Sequence, residues 1–272
     1  MNLKTALRQG TKLLEDAAVI APRLTAEVLL CHALHCERPY LFAHSDRDLE
    51  EVEWIHYGRY LHERMQGKPT QYITGRQEFY GREFRVSPAV FIPRPETEGV
   101  VQAALAVGGK RILDVGTGSG ALAVTLALET GAQVFAVDIS GDALAVAAEN
   151  ARRLLAPVAF IRGDLMSAVA SRSMDLIVSN PPYVPRTDKV GLQREVRDWE
   201  PELALYGGES GLEVYARLVE DAARVLRPGG WLIMELGFQS RDGVAAMLPG
   251  WNEVRIEPDL AGIPRVIAAR LG

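Results

Sequence analysis

The sequence predicts an α/β protein: a mostly parallel sheet of about seven strands covered on both faces, preceded by a small helical domain and a β-hairpin linker. Three observations carry that prediction. From residue 111 onward, short apolar runs alternate with helix-length amphipathic stretches, the pattern of parallel strands joined by crossover helices. Residues 1–70 instead repeat apolar side chains at three- and four-residue steps, as helices with one buried face do. Between them, residues 71–93 are rich in aromatic and β-branched side chains, with Gly75, Gly81 and Pro88 as punctuation. The expected domains are therefore 1–70, 71–93 and 94–272.

In the first domain, Leu3, Ala6, Leu7, Leu13, Leu14 and Ala17 mark one helix. Pro22 suits the start of a second, which carries Leu24, Val28, Leu29, Cys31 and Leu34. Ser45 or Asp46 can cap a third, continuing through Leu49, Val52, Ile55 and Leu61 to Met65, where Gly67 and Pro69 end it. Tyr72, Ile73, Phe79, Tyr80, Phe84 and Val86 favour strands, so a hairpin is expected there. Pro95 suits a first helical position, with Glu96 and Glu98 in the electropositive first turn. Strands are expected at 111–116, 133–140, 158–164, 174–180 and 231–236, with two more near 251–259 and 264–271. Helices at 121–129, 142–155 and 211–226 separate them.

Length and composition set limits. The 272 residues are 48% hydrophobic and 24% charged, which is ordinary globular composition with room for two cores. Thirty Lys and Arg against thirty-five Asp and Glu leave a net charge of −5, and residues 1–80 hold ten basic against eleven acidic side chains. Neither balance suits a broadly basic nucleic-acid binder. Cys31 and Cys36 are too few for a disulfide scaffold and suit a reducing compartment. Lys4, Arg8 and Lys12 interrupt any signal-peptide core, and no uncharged stretch approaches the ~18–20 apolar residues of a spanning helix. A cytoplasmic protein without membrane contact is expected. The Cys31–His32–Ala33–Leu34–His35–Cys36 run offers two i, i+4 pairs on different helix faces, so it reads as helix packing and no metal is expected. Trp54, Tyr57 and Tyr60 likewise read as packing.

Two loops carry the chemistry. Asp114-Val115-Gly116-Thr117-Gly118-Ser119-Gly120 lies where the first sheet strand turns into a helix. Glycines there let backbone approach a ligand closely, and helix N-terminal N–H groups favour its polar groups. Asp138 ends the second strand, where a carboxylate can accept both hydroxyls of a ribose. Together they point to an adenosine-type ligand without saying which one. Asp164, ending the third strand, can accept from an adenine amino group, with Leu165 against the ring. A cap for the next turn is an equal reading of Asp164.

The second loop, Asn180-Pro181-Pro182-Tyr183, falls at the carboxyl end of the fourth strand, the edge where open sheets bind ligands. Two prolines hold a stiff extended turn with free carbonyls, Asn180 adds a side-chain carbonyl, and Tyr183 a flat face. Acceptors converging over an aromatic ring suit a planar NH₂ group, whose two hydrogens both need partners.

With these motifs in place, the chain resembles the peptide chain release factor glutamine methyltransferase family. The likeness runs nearly the whole length: PTQYITG (69–75), EFYGREFRVSPAVFIPRPETE (78–98), NPPYVP (180–185), WEPELALYGGESGLEVY (199–215) and AGIPRV (261–266). It implies a Rossmann-like class I methyltransferase domain that uses S-adenosyl-L-methionine. The expected cofactor contacts are Gly116, Thr117, Gly118, Ser119, Gly120, Asp138, Asp164 and Leu165, bordered by Asn180. By the same resemblance, the Asn180 side-chain oxygen and the Pro181 carbonyl accept the two amide hydrogens of a glutamine. Tyr183 packs on the amide plane, and Pro182 completes the wall. Arg94, Glu96 and Thr97 are expected beside the cofactor's methionine end or the substrate channel. The implied partner is a bacterial-type release factor, modified at the glutamine of its Gly-Gly-Gln motif and gripped by the helical domain.

Two other classes compete on the residues alone. NPPY-type loops also serve enzymes that methylate adenine in DNA or RNA, but these need a basic target-recognition region that the charge balance does not provide. Read through Ala121, the glycine loop also satisfies G-x-G-x-x-A, so a nicotinamide dehydrogenase fits the first loop while leaving NPPY without a role.

Overall fold

Leu3, Ala6, Leu7 and Leu14 lie on one face of α1 (Leu3–Asp16), and all four are buried. They pack with Leu29 and Leu30 of α2 (Pro22–Leu34) and with Tyr57 and Leu61 of α4 (Glu51–Met65) into one apolar core. Each such side chain removed from water contributes roughly 1.5–3 kcal/mol. The computed structural model describes residues 1–272, and these helices belong to the first of two compact units, residues 1–75 with 193–199. The helix expected from Ser45 or Asp46 starts several residues later, and a short helix that was not expected precedes it. The short helix is α3 (Arg38–Ala43), and α4 begins only after Glu50. The cause is a capping box: the Glu53 carboxylate accepts the Glu50 N–H at 2.9 Å, while the Glu50 side chain caps the N3 backbone. Arg47 then clamps Glu53 through two bonds of 3.1 and 2.7 Å.

Tyr72 and Ile73, expected in a strand, form α5 (Thr70–Thr74), which stops at Gly75 in the left-handed conformation. The short helix α9 (Arg194–Trp199) joins this unit from far along the chain, and its Glu195 accepts from the buried Arg64 at 2.6 Å. Cys31 is buried, and desolvation pushes its thiol up to about 12. Tyr57 is fully buried, whereas Trp54 is partly exposed.

The second unit comprises residues 76–192 and 200–272. It begins with an antiparallel hairpin of β1 (Arg76–Phe79) and β2 (Arg82–Arg85), joined by Tyr80-Gly81 with φ of +50° and +70°. That pair of positive φ values makes the tight turn whose twist matches the strands. Phe79 and Phe84 meet edge to face at 6.1 Å within the main core. The stretch 71–93, expected as one linker, is therefore divided, its strands anchored by two buried aromatic rings.

After α6 (Glu98–Val107), strands and helices alternate: β3 (Arg111–Val115), α7 (Ala121–Thr130), β4 (Gln133–Asp138), α8 (Gly141–Arg153), β5 (Val158–Arg162) and β6 (Met174–Ser179). Beyond β6 come β7 (Val184–Pro185), α10 (Glu202–Leu205), β8 (Tyr206–Gly208) and α11 (Glu213–Val225). β9 (Leu226–Glu235), α12 (Arg241–Ala245), β10 (Asn252–Pro258) and β11 (Pro264–Arg270) complete the unit. The seven-stranded sheet runs β10-β11-β9-β6-β3-β4-β5, and all its pairings are parallel except those of β11 with its two neighbours.

Alternate residues face opposite layers. Ile112, Leu176 and Val178 pack under α6 and α7, while Leu113, Val115 and Ile177 pack under α11. Chain order reverses between β3 and β6, so their carboxyl ends flank the switch-point crevice where such sheets bind ligands. No helix is long and apolar enough to cross a membrane.

Candidate active site

The Gly116–Gly120 loop leaves the end of β3 pinned to β4. Gly116 and Thr117 both donate their N–H to the Val137 carbonyl, at 2.9 and 3.1 Å. Gly116 and Gly118 take φ of +73° and +56°, and a Cβ at either would stand in open space. The loop therefore turns bare backbone outward. Thr117 and Ser119, expected as ligand contacts, have buried side chains, and Thr117 Oγ1 donates to Asp114 Oδ2 at 2.6 Å. Gly120 is buried against Ala147 of α8, so it serves packing.

Asp114 escaped the sequence reading of the site. It is fully buried, accepts from Ala123 N–H at 3.1 Å, and its Oδ1 has no partner. Desolvation raises its carboxyl to about 7. An orphaned buried acceptor beneath a bare glycine turn fits a ligand that brings a donor.

Asp138 ends β4 and holds the loop from the other side. Its Oδ2 accepts Gly118 N–H and its Oδ1 accepts Ser140 N–H, each at 2.9 Å. Each oxygen keeps further acceptor capacity for a ligand hydroxyl. Asp164 is more exposed and pairs with Arg217 of α11 at 2.7 Å, an attachment that the sequence did not reveal. Leu165 follows at φ +45° and packs against the core under α11.

The second loop leaves β6 beside the first. Ser179 Oγ donates to the Val115 carbonyl at 2.7 Å, closing the seam between the two strand ends. Asn180 Nδ2 donates to Thr97 Oγ1 at 3.0 Å, which leaves its Oδ1 open. Pro181 is buried and Tyr183 half-buried. The Tyr183 ring lies so close to Gly237 that a Cβ there would meet ring carbon Cδ2 at 2.6 Å, so only glycine fits beneath it. β7 pairs with β8, with Val184 opposite Tyr206, and a Cβ at Gly207 would meet the Pro182 carbonyl at 2.5 Å. The glycine-rich run after Tyr206 is thus the bed on which the NPPY loop lies.

Of the three residues expected nearby, Thr97 reaches Asn180. Arg94 is bound to the buried Glu200 carboxylate and lies 4.6 Å over the Phe91 ring, and Glu96 is exposed. Glu235, at the end of β9, was also missed. It is buried, accepts from Thr97 Oγ1 at 2.5 Å, and burial raises its carboxyl to about 7.

Known proteins resemble this chain over nearly its whole length. The PrmC N-terminal domain family matches residues 5–75, and the methyltransferase small domain family matches residues 98–195. A release factor glutamine methyltransferase of Koribacter versatilis is 47% identical, over 99% of both chains. The chain belongs to the release factor glutamine methyltransferase family. Another family member, from Nitratidesulfovibrio vulgaris, is 45% identical over 98% of this chain and 95% of its own. Among solved structures, a methyltransferase from Pyrococcus furiosus covers 71% of this chain and 91% of its own, with a TM-score of 0.55 at 20% identity. That likeness shows the fold alone.

Family members use S-adenosylmethionine. The bare backbone at Gly116 and Gly118, the orphan acceptor of Asp114 and the open acceptor capacity of Asp138 fit its amino and hydroxyl groups. Replacing Asp138 with alanine is expected to raise the cofactor Kd about 5–150-fold, since unmaking charge-assisted hydrogen bonds costs ~1–3 kcal/mol. Calorimetry on the variant checks this, and an unchanged Kd removes Asp138 from the site.

Proposed function

We propose that this chain methylates the side-chain amide nitrogen of the glutamine in the Gly-Gly-Gln motif of peptide chain release factors, in the cytoplasm. The observation that carries the reading is the open Oδ1 of Asn180 at the switch-point edge, its amide nitrogen already engaged by Thr97. An acceptor so placed beside the glycine loop suits a substrate NH₂.

An amide nitrogen is a weak nucleophile because its lone pair is delocalised into the carbonyl. No side chain at neutral pH removes its proton first, so the rate has to come from positioning, exclusion of water and electrostatics. Asn180 Oδ1 and the Pro181 carbonyl accept the two amide hydrogens and favour the positive charge that grows on nitrogen. The Tyr183 ring, backed by Gly237, stacks on the amide plane, and Pro182 closes the wall. When bound, S-adenosylmethionine supplies an electrophilic sulfonium methyl and a neutral thioether leaving group. Gly116, Gly118 and Asp138 hold the cofactor, with Asp164 and Leu165 at its adenine end. The surplus proton on nitrogen passes to solvent after transfer. The helical unit serves as the grip on the release factor, a role supported by exposed Ile20, Phe42, Val52 and Ile55.

The test supplies methyl-labelled cofactor with four acceptors: an intact release factor, the same factor with its Gly-Gly-Gln glutamine changed to alanine, an isolated Gly-Gly-Gln peptide and duplex DNA. Strong label in the intact factor, weaker label in the peptide and none in the others is the expected result. Label in DNA overturns the reading, and equal label in peptide and factor removes the grip.

A further inference from the structure

A carboxamide is nearly symmetric in shape and opposite in chemistry at its two ends: the oxygen accepts and the nitrogen donates. A substrate NH₂ requires the oxygen. Turned over, Asn180 would set its own NH₂ against that of the glutamine, two donors facing each other. The adjoining prolines have no N–H with which to enforce the choice.

Two further side chains make it. Asn180 Nδ2 lies 3.0 Å from Thr97 Oγ1, and Thr97 Oγ1 lies 2.5 Å from Glu235 Oε2. Thr97 and Glu235 are 4% and 2% exposed, so no water competes for these contacts. A hydroxyl has one hydrogen, and an ionised carboxylate can only accept. Glu235 takes the Thr97 hydrogen, and Thr97 then has only lone pairs to offer Asn180. Lone pairs admit the amide nitrogen and refuse the oxygen. We infer that Glu235 is a positioning residue: through the Thr97 hydroxyl it sets which end of the Asn180 amide faces the substrate. The inference rests on the glutamine reading for its consequence, though the relay itself is independent of it.

The relay is built rigidly. Thr97 closes the short 3₁₀ turn Pro95–Thr97 that leads into α6. Glu235 is paired with Val266 of β11, and its carbonyl accepts from the Tyr215 hydroxyl at 2.8 Å. That hydroxyl also accepts the Gly237 N–H at 3.0 Å, fixing the chain beneath the Tyr183 ring. The titratable groups around the carboxylate come from four elements: Arg265 of β11, Arg94 and Glu96 before α6, Tyr183 after β6 and Tyr215 of α11. Arg265 is bound to Asp259 at 3.0 Å and Arg94 to Glu200, so neither cation replaces Thr97 as the donor. The relay also joins two distant motifs. Thr97 belongs to FIPRPETE and Asn180 to NPPY, and each is functionless at this point without the other.

Glu235→Gln separates polarity from shape. Its amide fills the same volume but can donate to Thr97, freeing the Thr97 hydrogen for Asn180 Oδ1 and permitting the reversed amide. The expected result is a kcat on intact release factor lowered at least ~30-fold, with the cofactor Kd within about twofold of wild type. Thr97→Ser keeps the hydroxyl and retains turnover within about threefold, whereas Thr97→Val keeps the shape and falls with Glu235→Gln.

A readout free of turnover is hydrogen exchange of the ¹⁵N-labelled Asn180 side-chain NH₂. It should be slow in wild type and Thr97→Ser, and fast in Glu235→Gln. A Glu235→Gln enzyme within about threefold of wild type overturns the inference, as does Thr97→Ser as damaged as Thr97→Val. Unchanged Asn180 exchange in Glu235→Gln overturns it too. If wild type fails to label the release factor, the glutamine reading falls, and the exchange measurement still decides the relay.

Discussion

Asn180→Ala is expected to lower methyl transfer to a release factor by about 10²–10³-fold while leaving the cofactor Kd within about twofold. The loss reflects what the side chain does. It supplies one of two acceptors aimed at the amide hydrogens, and that interaction strengthens as positive charge develops on nitrogen. Removing one preorganised group of this kind typically costs ~3–4 kcal/mol in the transition state. Cofactor affinity is spared because the glycine loop is held by β4, through Val137 and Asp138, and not by Asn180. Asn180→Asp should not rescue. A carboxylate there loses the donor that Thr97 accepts and adds a second acid close to Glu235. Single-turnover labelling, with calorimetry of cofactor binding on the same preparation, checks the prediction. Near-normal turnover in Asn180→Ala would remove it from the chemistry.

What the sequence revealed and concealed divides along physical lines. The placement of the glycine loop, Asp138 and NPPY was legible because each sits at a strand end, and strand ends of a parallel sheet converge on one edge. The sheet itself was legible from alternating periods, including the two last strands, though not the reversed direction of β11. Glu235 was not, because a lone carboxylate next to the end of the run WLIMEL looks like an ordinary polar residue at a strand end. Its meaning comes from Thr97, 138 residues earlier in the chain. The pairing of Arg94 was hidden for the matching reason: its partner, Glu200, lies 106 residues away. Asp164 lost the standing of a free carboxylate to Arg217 in the same manner. The start of α4 was hidden by a local contest. A cap at Ser45 or Asp46 and one at Glu50 were both available, and the Glu50–Glu53 box with Arg47 won. Periodicity reports which face is buried. It does not report which distant side chain waits there.

Glu235 also ties stability to pH, in the direction opposite to most surface ion pairs. Burial raises its carboxyl from the ordinary 4.5 to about 7, so the folded protein holds this proton more tightly than the unfolded chain does. The stability that protonation contributes is fully present below about pH 4.5 and is lost as pH rises through about 7. Above that, the folded state carries a buried charge that costs about 3 kcal/mol relative to the unfolded chain. Glu235→Gln removes the charge without removing volume. Its unfolding free energy is therefore expected to match wild type near pH 4 and to exceed it at pH 8 by as much as ~3 kcal/mol. Asp114, also raised to about 7, and Glu27 and Glu53, both lowered by arginine partners, titrate alike in the two proteins and cancel. Urea unfolding at the two pH values measures the difference, and a variant no more stable than wild type at pH 8 would show that the charge is not opposed by burial. Turnover should move the other way. Wild-type kcat falls as pH drops below about 7, because a protonated Glu235 can donate to Thr97 and release the Asn180 amide, and the variant lacks that limb. A residue whose ionised form weakens the fold while sharpening the site is kept for what it positions, and the opposed responses of stability and turnover to one isosteric change separate that role from packing.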